Sequence, residues 1–202
     1  ARLPWKLECG SYKLFVIEDG YYWRDPKTYH AEASERDWRF HPRDGDGRVR
    51  LNFGCYLITD GDRTAMIDAG MGKAANSGPA EMVSGLMPQA VDALGISRDS
   101  VEAVIYTHML YDHIGGSRDR KGSPVFPEAT HVFHEREWAH WSTEGSDRGK
   151  AARQIVQPFI DDDRVVLIDS DTEILPGVTA VEAFGHTPGH LTVSTGSDGT
   201  RT

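Results

Sequence analysis

The segment Tyr106-Thr107-His108-Met109-Leu110-Tyr111-Asp112-His113-Ile114-Gly115-Gly116 constrains this chain more than any other. It follows a run of apolar, β-branched residues at 101–105 whose composition predicts a buried strand. Three side chains able to bind a metal therefore stand just beyond a strand's end, where α/β proteins gather their chemistry. Two imidazoles and a carboxylate between positions 108 and 113 converge only if the backbone curls sharply, and Gly115-Gly116 permits that curl. A second cluster, Gly185-His186-Thr187-Pro188-Gly189-His190, closes a later apolar run at 178–184 and brings two more imidazoles. For either cluster alone a structural role is the safer reading; the two together, in this order, point to a metal.

With Asp68-Ala69-Gly70 upstream, the two clusters resemble the metallo-β-lactamase superfamily. Its signature is His-x-His-x-Asp-His after one strand and a Gly-His-Thr-Pro-Gly-His-like turn after a later one. The resemblance implies an αββα sandwich, with residues 1–202 a single α/β domain incomplete at its C-terminus. It assigns His108 and His186 to one metal site and Asp112 with His113 to another. Asp68 then supports the metal loop from behind, although read alone it is a turn aspartate bonding its own backbone. His190 matches the last histidine of the turn, more often a pocket or structural residue than a ligand. The first motif departs from the pattern at Leu110, which stands where the second histidine belongs and has no lone pair for a metal. The family's bridging aspartate and its late histidine have no counterpart within the 202 residues. The chain therefore reads as a fragment of a longer one, with weakened metal affinity.

The resemblance also implies a chemistry. One or two zinc ions lower the pKa of a bound water toward ~7, giving hydroxide to attack an ester-like carbonyl. The expected activity is hydrolysis of a small lactone or related ester, with Asp112 as the catalytic carboxylate that orients the nucleophile or passes on its proton. The histidine turn and the segment 126–141 resemble the lactonase and methyl-parathion-hydrolase-like branch. Two other readings stay open. One is an impaired or repurposed member that binds a small ligand or partner; the other is an altered metal site with redox or dehalogenation chemistry.

Composition narrows the partners. A formal net charge of −9 argues against nucleic acid and favours a small, neutral substrate. No apolar run approaches the ~20 residues that cross a bilayer, so no membrane partner is expected and the cytoplasm is the default location. The chain starts at Ala1, which leaves a removed leader open. Cys9 and Cys55 lie far apart and read as two reduced thiols.

Strands are expected at 13–17, 53–59, 64–67, 130–134, 165–168, 178–184 and 191–195, with a hairpin turn at 196–199. Helices are expected at 79–94, with Pro88 kinking it or starting a second one, and at 136–141 and 150–159. Residues 21–50 show no clean period and read as irregular, a loop over the site or an arm of a homodimer. From aromaticity and position, Tyr22, Trp23, Trp38 and Tyr111 are the candidate pocket walls. His131, His134 and His140 read as surface or core histidines, with His134 a pocket candidate because it ends a strand.

Overall fold

A computed structural model describes residues 5–73 and 82–196. Seven strands lie side by side in chain order: β1 (Trp5–Cys9), β2 (Tyr12–Arg24), β3 (Val49–Thr59), β4 (Thr64–Ile67), β5 (Ala103–Ile105), β6 (Thr130–His134) and β7 (Val165–Ile168). β1 to β4 pair antiparallel and β4 to β7 pair parallel. A second sheet of three antiparallel strands follows, β8 (Thr172–Leu175), β9 (Val178–Glu182) and β10 (Leu191–Thr195). The helices are α1 (Pro26–Tyr29), α2 (Met87–Ala93), α3 (Tyr111–Ile114), α4 (Glu135–Thr143) and α5 (Asp147–Asp161).

The two-residue period of a strand sorts the core into two layers. Ile58, Ala65, Ile105 and Val132 face the second sheet and pack with Val178, Ala180 and Leu191. Their neighbours in sequence, Leu57, Met66, Val104 and Phe133, point the other way and pack with Met87, Val91, Trp141 and Val156 of the helices. The central strands are buried on both faces, and so read as unbroken apolar runs rather than as alternation. This is the layered α/β sandwich that the sequence predicts.

Several elements differ from expectation. The segment 21–50 is not wholly irregular: residues 21–24 continue β2 and residues 49–50 begin β3. A bulge between Glu18 and Gly20 breaks the alternation that would have revealed the longer strand. Of the expected helix 79–94, residues 79–81 lie outside the described residues, and residues 82–86 are not helical, since Val83 bridges to Tyr21 instead. The helix begins at Met87, with Pro88 in its first turn, where a missing N–H costs nothing. The strand expected at 178–184 ends at Glu182, and the one at 101–105 begins at Ala103. β1 and β8 lie outside the expected strands: β1 alternates apolar and polar residues but is short and mostly exposed, and β8 runs two polar residues and then two apolar ones. The hairpin turn expected at 196–199 falls outside the described residues from 197 onward.

This topology carries both histidine clusters to one end of the sandwich. β5 runs straight into residues 106–113, and the turn 183–190 joins β9 to β10. The backbone N–H of Leu191 donates to Thr107 O at 2.8 Å and ties the two segments together.

Candidate metal centre

The loop after β4 and the loop after β5 interlock backbone to backbone. Ala69 N–H donates to His113 O at 2.7 Å, and Gly116 N–H donates to Gly70 O at 3.0 Å. A Cβ on Gly116 would lie 2.0 Å from Ala69 O, so only glycine allows the approach. Asp68, buried and at φ 58°, points its carboxylate across this junction. One oxygen accepts Thr107 N–H at 2.8 Å; the other lies 2.8 Å from Thr107 Oγ1 and 2.7 Å from His113 Nδ1.

Proton accounting on this network fixes the tautomers. A carboxylate only accepts, so His113 donates from Nδ1 and Thr107 commits its hydroxyl proton to Asp68. Thr107 Oγ1 then accepts from His108 Nδ1, 2.9 Å away. His190 Nδ1 lies 3.1 Å from Ala183 O and must likewise donate to it. Three imidazoles are thus held by their Nδ1 atoms, so in each neutral ring the lone pair lies on Nε2. For His108 that nitrogen is buried and has no hydrogen-bond partner among the described residues.

The rings gather around His108. Its centroid lies 3.9 Å from that of His113, 4.8 Å from His186 and 5.1 Å from His190. Burial, and then the neighbouring imidazoles, push the His108 pKa down to about 3, so the ring is neutral at neutral pH. Burial acts on His113 in the same sense, but the hydrogen bond and charge of Asp68, helped by Asp112, outweigh it and hold its pKa above the ordinary value. Asp112 is partly exposed, and its Oδ2 stands 3.5 Å from His113 Nε2, too far for a strong hydrogen bond.

The chemistry of these donors fits a divalent cation: His108 is neutral, its buried Nε2 has no hydrogen-bond partner among the described residues, and three further imidazoles stand around it. Among the described residues, however, no three His, Cys, Asp or Glu side chains are closed around one point. His186 is exposed, and its ring stands at 84° to that of His108. Leu110, where a histidine was expected, packs its side chain against the apolar core instead.

The sequence profile described as the metallo-beta-lactamase superfamily matches residues 55–201. The chain belongs to the metallo-β-lactamase superfamily. Within it, the chain is 24% identical over 159 residues to an N-acyl homoserine lactonase of Bacillus thuringiensis, a match covering 70% of this chain and 57% of that protein. A second N-acyl homoserine lactonase, from a Bacillus species, is 26% identical over 150 residues, covering 67% of this chain and 55% of that one. The chain thus spans little more than half the length of these curated relatives. Among solved structures, AidC, a dizinc quorum-quenching lactonase in complex with a product, superposes with a TM-score of 0.81 at 19% identity, over 98% of this chain and 72% of that one. A probable metal-dependent hydrolase from Staphylococcus aureus superposes with a TM-score of 0.77 at 18% identity, over 96% and 72% of the two chains. At such identities the superpositions speak for the superfamily fold alone.

The residues singled out from the sequence have distinct fates in this superfamily member. His108, His113, His186 and His190 come together, Asp68 stands behind His113, and Asp112 lies at the edge of the cluster. Of the aromatic candidates, Tyr22 is close enough for the Asp112 charge to add to burial in raising its phenol pKa. Tyr111 is half-exposed beside the cluster, and Trp23 packs edge-on to Tyr21. Trp38 is instead buried between His30 and His41, a local packing role. His134 is fully buried and bonds Glu182 at 3.1 Å, and His131 is a core residue bonded to Tyr106 at 2.8 Å. His140 packs edge-on to Trp141.

Three contributors carry no clear mark in the sequence. Thr107 relays the Asp68 carboxylate to His108 and fixes that ring's tautomer, yet a threonine beside a histidine carries no signal of its own. Buried Asp19 accepts the N–H groups of Gly72 at 2.9 Å, Gly85 at 3.2 Å and Met87 at 2.9 Å, pinning the glycine loop after β4. Glu137 of α4 is buried as well. An acid directly before Trp138 and one helical turn before Trp141 on an amphipathic helix was the available sign.

Proposed function

We propose that this chain carries the metal-binding face of a metal-dependent hydrolase acting on a small lactone or related ester. The observation that bears most weight is His108 Nε2, a buried lone pair without a partner among the described residues, ringed by three further imidazoles. A buried polar atom of this kind costs stability unless something occupies the gap it faces. The lactonase relatives favour a lactone as the substrate, and zinc as the metal.

His108, His113 and His186, with Asp112, would hold one or two zinc ions. Bound there, a divalent cation supplies Lewis acidity, polarising a carbonyl and making water more acidic. The chain's own residues do the rest. Asp68 and Thr107 keep His108 and His113 donating outward, so their inward nitrogens stay bare. Asp112, partly exposed at the edge of the cluster, can take a proton from an incoming water and give it to a leaving alkoxide. Half-exposed Tyr111 and the Tyr22 ring stacked on Phe53 give the neighbouring surface an apolar, aromatic character suited to an acyl or alkyl group. The acidic net charge fits a neutral substrate better than an anionic one.

The test is elemental analysis of the purified full-length protein, followed by a screen of lactones and activated esters. Zinc bound in stoichiometric amount together with lactone turnover supports the reading; protein free of metal after zinc loading, and inert toward every ester, overturns it.

A further inference from the structure

Glu137 sits on the first turns of α4 with a side chain almost wholly removed from water. Its Oε1 accepts the backbone N–H of Met109 at 3.0 Å and the indole N–H of Trp141 at 2.7 Å. Its Oε2 accepts the backbone N–H of Gly189 at 2.9 Å. Met109 follows His108 and Gly189 precedes His190, so one carboxylate joins the two histidine segments, eighty positions apart in the chain.

We infer that Glu137 is a positioning residue: it sets the separation and orientation of the two histidine segments, and so the affinity of the site for its metal. The inference rests on the metal-site reading above for its second half only. Three physical points support it. Burying a carboxylate costs several kcal/mol unless donors replace water, and here three N–H groups do so. An apolar side chain would fill the same space without that cost, so the charge is retained for what it joins. Glutamate is also the one side chain of this length with two acceptor oxygens; glutamine would turn an NH2 toward an N–H and lose one segment or the other. Finally, the turn is shaped to meet it. A Cβ on Gly189 would lie 2.5 Å from Glu137 N and 2.9 Å from its Cβ, so the close approach needs glycine there.

The experiment compares Glu137→Gln with the parent and with Arg153→Met. Arg153 bonds the carbonyls of Trp141, Ser142 and Glu144 at the far end of α4, so its loss weakens the same helix without touching either histidine segment. Two quantities are measured: amide hydrogen exchange at Met109 and Gly189, and zinc affinity by competition with a chelating dye. Glu137→Gln should speed exchange at one or both amides by about tenfold or more, and weaken zinc binding by about tenfold or more. Arg153→Met should lower the melting temperature while leaving zinc affinity within about twofold. Glu137→Asp, one methylene too short to span both segments, serves as the second variant should the glutamine protein fail to fold. Unchanged exchange at both amides overturns the inference, and so does a loss of zinc affinity in Arg153→Met equal to that in Glu137→Gln. A parent that binds no zinc would sink the metal-site reading, while the exchange data would still decide whether the carboxylate joins the segments.

Discussion

Asp68 Oδ2 lies 2.7 Å from His113 Nδ1, while the other oxygen of the same carboxylate holds the backbone N–H of Thr107. One buried acid thereby fixes both a ring and the strand end that carries it. Asp68→Asn is the informative change, since asparagine tolerates the positive φ of this position and keeps the side chain's shape. It should weaken zinc binding by about 10- to 100-fold. Titration against a chelator measures the loss, and retained binding would show that His113 needs no anionic support.

Leu110 occupies the place of an expected ligand and half-buries its side chain against the core. Leu110→His should raise the zinc held per chain and speed ester hydrolysis by about tenfold or more, at a stability cost of about 1 kcal/mol. Elemental analysis and initial rates on a lactone test this. If neither form takes up zinc, the leucine is not what limits the site.

Gly116 abuts Ala69 O where the two loops interlock, and the space for a methyl group is missing. Gly116→Ala should destabilise the protein by about 3 kcal/mol. Urea unfolding reads the cost directly. A shift in midpoint too small to resolve would mean that the loops part easily and that the interlock does not organise the site.

His131 is buried, its Nδ1 bonded to Tyr106, and burial followed by the charges of Arg164 and Arg118 pushes its pKa down to about 3. The unfolded chain gains this proton near pH 6.5 and the folded protein only near 3, so the stability contribution is full above pH 6.5 and is lost as pH falls through that window. The slope from this residue alone is at most about 1.4 kcal/mol per pH unit. His131→Asn keeps a donor near the Nδ1 position and removes the titration, so its unfolding free energy should fall less steeply between pH 6 and 4. Parallel slopes for the two proteins would contradict the assignment.

The site was legible where a residue type is chemically specialised. Neither histidine cluster is specific alone, but the two in this order drew attention to His108, His113 and His186, and the superfamily resemblance added Asp68. Thr107 and Glu137 could not be placed from the sequence, because a hydroxyl or a carboxylate on an ordinary element has many uses and only its partners reveal which. The fold followed the same division. The buried central strands announced themselves as apolar runs, whereas β1, short and mostly exposed, and β8, without alternation, did not stand out. The helix expected from residue 79 failed for the opposite reason: Val83, Leu86 and Met87 share a helical spacing, but Val83 is used in a bridge to Tyr21 and only Met87 belongs to the helix.

The irregularity in β2 has its own implication. Glu18 faces Gly54 and Gly20 faces Phe53, so Asp19 is a supernumerary residue with no partner across the ladder. Everything from Tyr21 to Arg24 is therefore one step out of phase with the first half of the same strand. Excising Asp19 would leave Tyr21, Tyr22 and Trp23 on the side that Asn52, Leu51 and Arg50 fix, but would remove the carboxylate that holds Gly72, Gly85 and Met87. The extra residue thus lets the strand turn a carboxylate out of its ladder toward the glycine loop while its aromatic rings keep their places.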